Sequence, residues 1–246
     1  MNDFCEKCEL NECIKEEKNL LNNAIVEKNN NLLDENIIKI SQYIDKMIYD
    51  CIKCKIRLVD INNEKVSLDS IFGIHSTFYY YGEQHLFINM YNYIKKGIEN
   101  NEIIYLFVED NIYNKLLKVL NENNVCVDDI QFRNVKPLIQ GNRDGGLKSL
   151  KNEIYKISLE DEVKKYNGIR WIGQPSYAIK LNSQDAFLNF EKNLDMALKD
   201  TNASLLCIYD VNDYMDGGNI INKKVIEESL ETHSYILKDD YLQALA

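Results

Sequence analysis

The chain has 246 residues, enough for one large domain or two modest ones, and is 45% hydrophobic and 28% charged, as folded proteins usually are. Its formal net charge of −10 argues against a nucleic-acid partner, which ordinarily requires clustered lysine and arginine. No apolar run approaches the roughly 18 residues of a membrane span, and the start, MNDFCEKCELNEC, lacks the apolar centre of a secretory signal. The composition therefore predicts a cytoplasmic protein that binds neither nucleic acid nor membrane.

Residues 1–56 predict a helical hairpin. Apolar residues recur at helical spacing from about Glu9 to Lys28, and again from the N-cap candidate Asp34 to about Lys53. The segment between them, KNNNLLD, is rich in asparagine, which favours a turn. Two helices joined by so short a turn pack antiparallel.

The remainder of the chain predicts an α/β domain. Residues 57–70 lack the glycine and proline of a flexible linker and are interpreted as a connector that holds the two parts close. Across residues 71–246, the strand candidates GIHSTFYYY, IIYLFVE, DIQFRNV, GIRWIG and ASLLCIYDV alternate with helical segments, and QGNRDGG is interpreted as a loop. Such alternation predicts a mainly parallel sheet with helices on both faces.

The second predicted helix carries a polar group, SQYID, in its middle. Ser41 and Asp45 are four residues apart and share a helix face, with Gln42 beside them. With its hairpin layout, the segment 9–55 resembles the stage-zero sporulation regulatory aspartyl-phosphate phosphatases, whose signature is Ser-Gln-x-Leu-Asp; Ile44 stands where leucine is usual. The resemblance implies that Ser41, Gln42 and Asp45 help to remove phosphate from the phospho-aspartate of a response regulator.

The chemistry of this signature requires little from the hairpin. An acyl phosphate is already activated, so a helper protein needs only to dock and to hold a water in line. The Gln42 amide can orient water as donor and acceptor, and Asp45 could orient the water or contact the regulator's own catalytic residues. The alternative is that these polar residues simply solvate one side of a packed helix.

The cysteines suggest a metal site near the hairpin ends. The chain has seven cysteines, and Cys5 with Cys8 and Cys51 with Cys54 form two CxxC pairs. In an antiparallel hairpin both pairs would lie at the open end, where four thiolates are a recognised zinc arrangement. The alternatives are that Cys51 packs as a small hydrophobe and the others are incidental, or that a labile disulfide forms.

The larger part of the chain contains a series of recognisable segments, in the order GIHSTFYYYGEQ, YIKKGIENNEIIYLFV, GIRWIGQPSYAI, FEKNLDMAL, LLCIYD and ETHSYIL. In this order they resemble the MEDS sensory domain of methanogen and methylotroph regulators. The resemblance implies a RecA-like fold without nucleotide chemistry. The residues agree, because the first strand is followed by YYYGEQHL, in which Gly82 is alone and Glu83 would repel phosphate. The later segment GNRDGGLKS is only a near miss to a P-loop, so no nucleotide hydrolysis is expected.

Several polar and aromatic residues fall near predicted strand ends, where ligands bind in such sheets. They are His75, Glu83, Arg170, Trp171, Glu191, Tyr209, Asp210 and His233. We expect them to converge on one ligand pocket. In the alternative interpretation, GIRWIG and LLCIYD are plain core strands, and Arg170 pairs with Asp210 as a structural ion pair.

Together these features predict a two-domain signalling protein. The hairpin would dephosphorylate a response regulator under the control of an α/β domain that senses an unknown small molecule. The runner-up is a non-catalytic protein that binds a regulator or forms a homodimer through the hairpin. A working ATPase is disfavoured by the missing P-loop.

Overall fold

Two amphipathic helices open the part of the chain that the computed structural model describes, which comprises residues 9–56, 61–215 and 219–245. Helices α1 (Glu9–Glu27) and α2 (Glu35–Ile56) pack against each other as an antiparallel hairpin. Asp34 accepts a hydrogen bond from the Asn36 backbone N–H at 3.0 Å and pairs with Lys28 at 3.1 Å. The hydrogen bond from Lys28, followed by the one from Asn36, lowers the pKa of Asp34. Asp34 therefore caps α2, as the sequence indicates.

The rest of the described chain alternates strands and helices. The strands are β1 (Ile61–Ser67), β2 (His75–Tyr80), β3 (Glu102–Phe107), β4 (Ile130–Phe132), β5 (Gly168–Gly173), β6 (Ala203–Asp210), β7 (Tyr235–Lys238) and β8 (Tyr241–Leu245). The helices are α3 (Glu83–Glu99), α4 (Asp110–Glu122), α5 (Lys136–Ser158), α6 (Pro175–Leu181), α7 (Gln184–Leu198), α8 (Val211–Met215) and α9 (Lys223–Thr232).

The strands form one sheet in the order β1-β8-β7-β2-β6-β5-β3-β4. The pairs from β7 through β4 are parallel, and β8 runs antiparallel to both of its neighbours. Every residue of β2 and β3 is buried, as expected for parallel strands covered by helices on both faces. The prediction of an α/β fold with a helical hairpin before a mainly parallel sheet is confirmed.

The two faces of the sheet carry different helices. Alternate residues of a strand point to opposite faces, and the consecutive residues Arg170 and Trp171 show which helices cover each one. Arg170 lies against Gly97 of α3, and Trp171 lines a cavity with residues of α5 and α7. The hairpin covers the α3 face, where Asp45 and Ile48 of α2 lie beside β2 and β7. Hairpin and sheet residues belong to one continuous hydrophobic core.

Three strands and one helix differ from the sequence-based interpretation. β1 lies within the segment interpreted as a connector, and its polar sequence, INNEKVS, suits the sheet edge that it occupies. β7 and β8 form a hairpin whose turn contains Asp239 in the left-handed region, at φ 52°. The predicted loop QGNRDGG is wrong, because α5 runs through it with a kink at Gly145 and Gly146. Glycine suits this kink because Gly146 has a φ of 58°.

None of the helices in the described part of the chain is both long enough and apolar enough to cross a bilayer.

Candidate ligand and metal site

Four side chains with metal-binding chemistry meet inside the α/β domain. His75 begins β2, Cys207 lies in the neighbouring strand β6, Glu191 projects from α7, and His233 follows α9. All four are buried, with at most 4% of any of them exposed. We call them the buried cluster. His75, Glu191 and His233 are among the predicted ligand residues, whereas Cys207 is not.

The donor atoms of the buried cluster are close together. His75 Nε2 lies 3.4 Å from Cys207 Sγ and 3.6 Å from Glu191 Oε2. Glu191 Oε2 is also 3.5 Å from His233 Nε2, and Glu191 Oε1 is 3.6 Å from Cys207 Sγ. In a tetrahedral zinc site with bonds of about 2.0–2.3 Å, neighbouring ligand atoms are about 3.3–3.8 Å apart. These four contacts lie within that range, although they use both oxygens of Glu191; with one ligand atom from each residue, all four atoms lie within 4.8 Å of one another. The cluster could therefore hold a metal ion after a small contraction.

Two hydrogen-bond acceptors face each other within the cluster. His233 Nδ1 lies 2.6 Å from the Ser229 carbonyl oxygen, which can only accept, so Nδ1 carries the proton and Nε2 presents its lone pair. Neither His233 Nε2 nor Glu191 Oε2 has a hydrogen-bond partner among the described residues. Two facing buried acceptors need either a cation or a shared proton between them. The backbone bond also orients His233 in the way typical of metal-ligating histidines.

Burial controls the charges in the cluster when no ion is bound. It raises the pKa of Glu191 to about 8, lowers the pKa of His233 to about 4, and lowers that of His75 well below its usual value. Burial also raises the pKa of the Cys207 thiol. The metal-free cluster is therefore neutral near pH 7. A divalent cation with two ionised ligands, Cys207 and Glu191, and two neutral histidines would likewise leave the site without net charge, which suits a buried position.

An apolar cavity adjoins the cluster. It encloses about 30 Å³ between β5, β6, α5 and α7, and both Glu191 and Cys207 line it. The rest of its wall is mainly aromatic and aliphatic, including Phe107, Trp171, Phe187, Phe190, Leu194 and Leu205. A water needs at least about 10–15 Å³ of such space, so a ligand of a few atoms fits without rearrangement. Trp171, one of the predicted ligand residues, lies in this wall.

The other predicted ligand residues are distributed elsewhere. Tyr209 lies on the cluster side, with its ring centroid 5.9 Å from that of His233. Asp210 ends β6, and its carboxylate accepts the Asn212 backbone N–H. Arg170 points to the opposite face and pairs with Glu102, its Nε 2.6 Å from Glu102 Oε2. The alternative of an Arg170–Asp210 pair is therefore wrong in its partner, and a single pocket does not contain the whole predicted set.

The segment between β2 and α3, where a P-loop would lie, is covered by other side chains of this protein. Gly82 has a φ of 84°, and a Cβ there would lie 2.8 Å from Cε of Lys18, which comes from α1. Lys18 Nζ lies 5.0 Å from the centroid of the Tyr81 ring. Glu83, the first residue of α3, pairs with Lys115 at 2.7 Å. A hairpin helix and a carboxylate thus cover the helix N-terminus at which nucleotide phosphates bind in P-loop proteins.

The three residues of the hairpin signature differ in their exposure to solvent. Ser41 is buried, Asp45 is half-buried and Gln42 is exposed. Ser41 therefore does not solvate the helix surface.

Of the cysteines proposed for zinc, Cys51 is buried in the hydrophobic core and Cys54 is exposed one turn later. Cys5 and Cys8 lie outside the described residues. The four-cysteine zinc site therefore stays a prediction.

Comparison with known families supports the MEDS resemblance of the larger part of the chain. The sequence model of MEDS, described as the methanogen/methylotroph DcmR sensory domain, matches residues 74–234. This range contains all four residues of the buried cluster. A crystal structure of an uncharacterized Pyrococcus horikoshii protein, in complex with an unknown peptide, aligns with a TM-score of 0.43 and 9% identity over 74% of this chain and 84% of that chain. Among curated proteins, no sequence matches this chain.

Proposed function

Because the chain belongs to the MEDS family of sensory domains, we propose that it is a signalling protein whose α/β domain responds to an event at the buried cluster. The observation that carries this proposal is the pair of facing acceptors, Glu191 Oε2 and His233 Nε2, in a site where four possible ligand atoms lie within 4.8 Å of one another. A thiolate, two imidazoles and a carboxylate suit a divalent transition metal, with zinc the first expectation. The apolar cavity gives a small-molecule signal access to two of the cluster residues, Glu191 and Cys207.

The output of the sensor is proposed to be the helical hairpin. The SQYID group, in its hairpin setting, supports an aspartyl-phosphate phosphatase that acts on the receiver domain of a response regulator. The exposed Gln42 is positioned to reach a docked partner. A phosphorelay of this kind operates in the cytoplasm, which is where we place the protein.

Phosphatase activity gives a direct test of the hairpin. We expect Asp45→Ala and Gln42→Ala to slow the loss of phosphate from a phosphorylated receiver by about 100-fold or more, because misplaced groups cost rates of that order. The assay is receiver dephosphorylation with the protein at substoichiometric amounts.

The matched control for this test is Asp50→Ala, which removes an exposed carboxylate from the same helix. Circular dichroism should show unchanged helix content in all three variants, since Gln42 and Asp50 are exposed and alanine is the better helix former at half-buried Asp45. Wild-type turnover in a folded Asp45→Ala protein would remove Asp45 from the proposed site.

A non-catalytic interaction protein is the second candidate. Ser41 and Asp45 contact the sensory domain within the chain, so the signature could serve docking alone. Repeated turnover at substoichiometric amounts separates the two functions, because a binding protein protects or sequesters the receiver only in proportion to its amount.

We also retain the zinc site of Cys5, Cys8, Cys51 and Cys54 as a second metal proposal. The two sites are separable by metal analysis under reducing conditions. Cys8→Ser should remove the metal held at the hairpin ends, and Cys207→Ser should remove that held in the cluster. The buried position of Cys51 requires that the end of α2 adjust for its thiolate to ligate metal.

A further inference from the structure

The signature residues of α2 lie against the sensory domain. Asn89 of α3 donates a hydrogen bond from Nδ2 to Ser41 Oγ at 3.1 Å and another to the His85 carbonyl at 3.0 Å. Ser41 is only 2% exposed and Asn89 only 6%. A receiver domain cannot touch the Ser41 hydroxyl while this bond is in place.

A second contact holds Asp45. His85 Nε2 lies 3.1 Å from Asp45 Oδ1, and the imidazole is fully buried. The other ring nitrogen, Nδ1, accepts the Tyr81 backbone N–H at 3.2 Å, so the ring proton lies on Nε2, close to Asp45 but without the geometry of a hydrogen bond. The carboxylate is therefore directed into the domain.

The turn between β7 and β8 completes the contact. Gln42 hydrogen-bonds to Asp239, whose pKa is raised by burial and then by the negative charge of Asp45. The residues Ser41, Gln42, Asp45, His85, Asn89 and Asp239 form what we call the docking seam. A groove of about 300 Å³, lined in part by Ser41, Gln42, Asn89 and Asp239, runs along it. A polar contact beside so large a groove opens at less cost than a dry, close-packed one.

We propose that the docking seam withholds the signature residues from a phosphorylated receiver, so that α2 must shift away from the sensory domain before the hairpin acts. This inference rests on the proposed function. The Ser41 hydroxyl and the Gln42 amide have partners within the chain, and Asp45 Oδ1 lies against a buried imidazole, while Asp45 Oδ2 has no hydrogen-bond partner among the described residues. A receiver would have to displace these contacts to reach the signature. The seam is thus an autoinhibitory contact.

The strands connect the seam to the buried cluster. β2 begins at His75 and leads to Tyr81, whose N–H holds His85. β7 follows His233 and leads to Asp239. A ligand or metal that displaces either histidine therefore acts on a strand whose other end touches the signature.

The experiment compares full-length Asn89→Ala with Asn121→Ala, which makes the same chemical change at an exposed position of α4. Hydrogen exchange over residues 37–52 should accelerate about fivefold or more in Asn89→Ala, as expected for the loss of one buried hydrogen bond. Receiver dephosphorylation should accelerate in the same variant. The Asn121→Ala protein should match the wild type in both measurements. Asn89→Ser, which is too short to reach Ser41, serves if the alanine variant does not fold.

The outcomes separate the inference from the proposed function. Suppose that the wild type is active and that Asn89→Ala exchanges hydrogen faster but removes phosphate no faster. That result would overturn the autoinhibition. Unchanged exchange overturns the seam as the contact that holds α2. If no variant removes phosphate, the phosphatase proposal fails, and with it the inhibitory role of the seam, while the exchange data still decide whether the seam holds α2.

Discussion

The protein purified under reducing conditions is expected to hold a divalent metal at the buried cluster, and replacing Cys207 by serine should weaken that binding at least about 100-fold. Loss of an outer hydrogen-bonding partner alone typically costs about 10–100-fold in metal affinity, and Cys207 is proposed as a direct ligand. Its Sγ lies 3.4 Å from His75 Nε2 and 3.6 Å from Glu191 Oε1. Metal analysis and competition with a chromophoric chelator would measure the change. Substitution with Co²⁺ would add a thiolate absorption band that Cys207→Ser abolishes.

Two controls make this result specific. Cys126→Ser replaces an exposed thiol in the loop between α4 and β4 and should leave the metal content unchanged. Glu191→Gln separates a metal from a shared proton. A glutamine can still donate to His233 Nε2, so a proton-sharing cluster would keep its stability, whereas a metal-binding cluster would lose affinity.

Thermal stability provides an independent test of metal binding at the buried cluster. Metal that binds only the folded state stabilises it by an amount that grows with the logarithm of the metal concentration over its dissociation constant, and so raises the melting temperature. A chelator should therefore lower the melting temperature of the wild type and have little effect on Cys207→Ser. Equal melting temperatures with and without metal, together with a metal-free wild type, would leave the cluster as a proton-sharing network.

Glu102→Ala is expected to destabilise the protein by about 3–5 kcal/mol, the usual cost of leaving a buried charge without its partner. Arg170 is fully buried and binds Glu102 through two bonds, from Nε at 2.6 Å and from Nη2 at 3.0 Å. Its remaining bonds go to the carbonyl oxygens of Tyr93 and Leu68, each at 2.8 Å. Neither carbonyl can neutralise the guanidinium. For a chain of this size the loss corresponds to a fall of about 6–20 °C in melting temperature.

The matched control is Glu99→Ala, which removes an exposed carboxylate three residues earlier and should change stability by less than about 0.5 kcal/mol. Replacing the pair together, as Glu102→Leu with Arg170→Met, should recover much of the loss, because it removes the charge and its partner at once. Urea unfolding followed by circular dichroism measures all three. A loss below about 1 kcal/mol in Glu102→Ala would show that water reaches Arg170.

Local sequence determined the helical hairpin and the class of the fold. Periodic apolar residues and the Asp34 cap depend on neighbours within one or two turns, so they can be recognised without the rest of the chain. The alternation of strands and helices predicted the mainly parallel sheet for the same reason. Residues of the cluster were recognisable by type, and His75, Glu191 and His233 were all among the predicted ligand residues.

Only the tertiary structure decided which side chains meet. Cys207 joins His75 across 132 residues because parallel pairing places β6 beside β2, and no local pattern encodes that register. Arg170 and Trp171 are consecutive, but their side chains point to opposite faces of the sheet because the strand is pleated. The predicted single pocket is therefore two separate features, the buried cluster on one face and the Arg170–Glu102 ion pair on the other. The docking of Ser41 against Asn89 likewise depends on where the hairpin lies on the sheet. Spacing along the chain determines which side chains share a face of an element, but packing determines what that face meets.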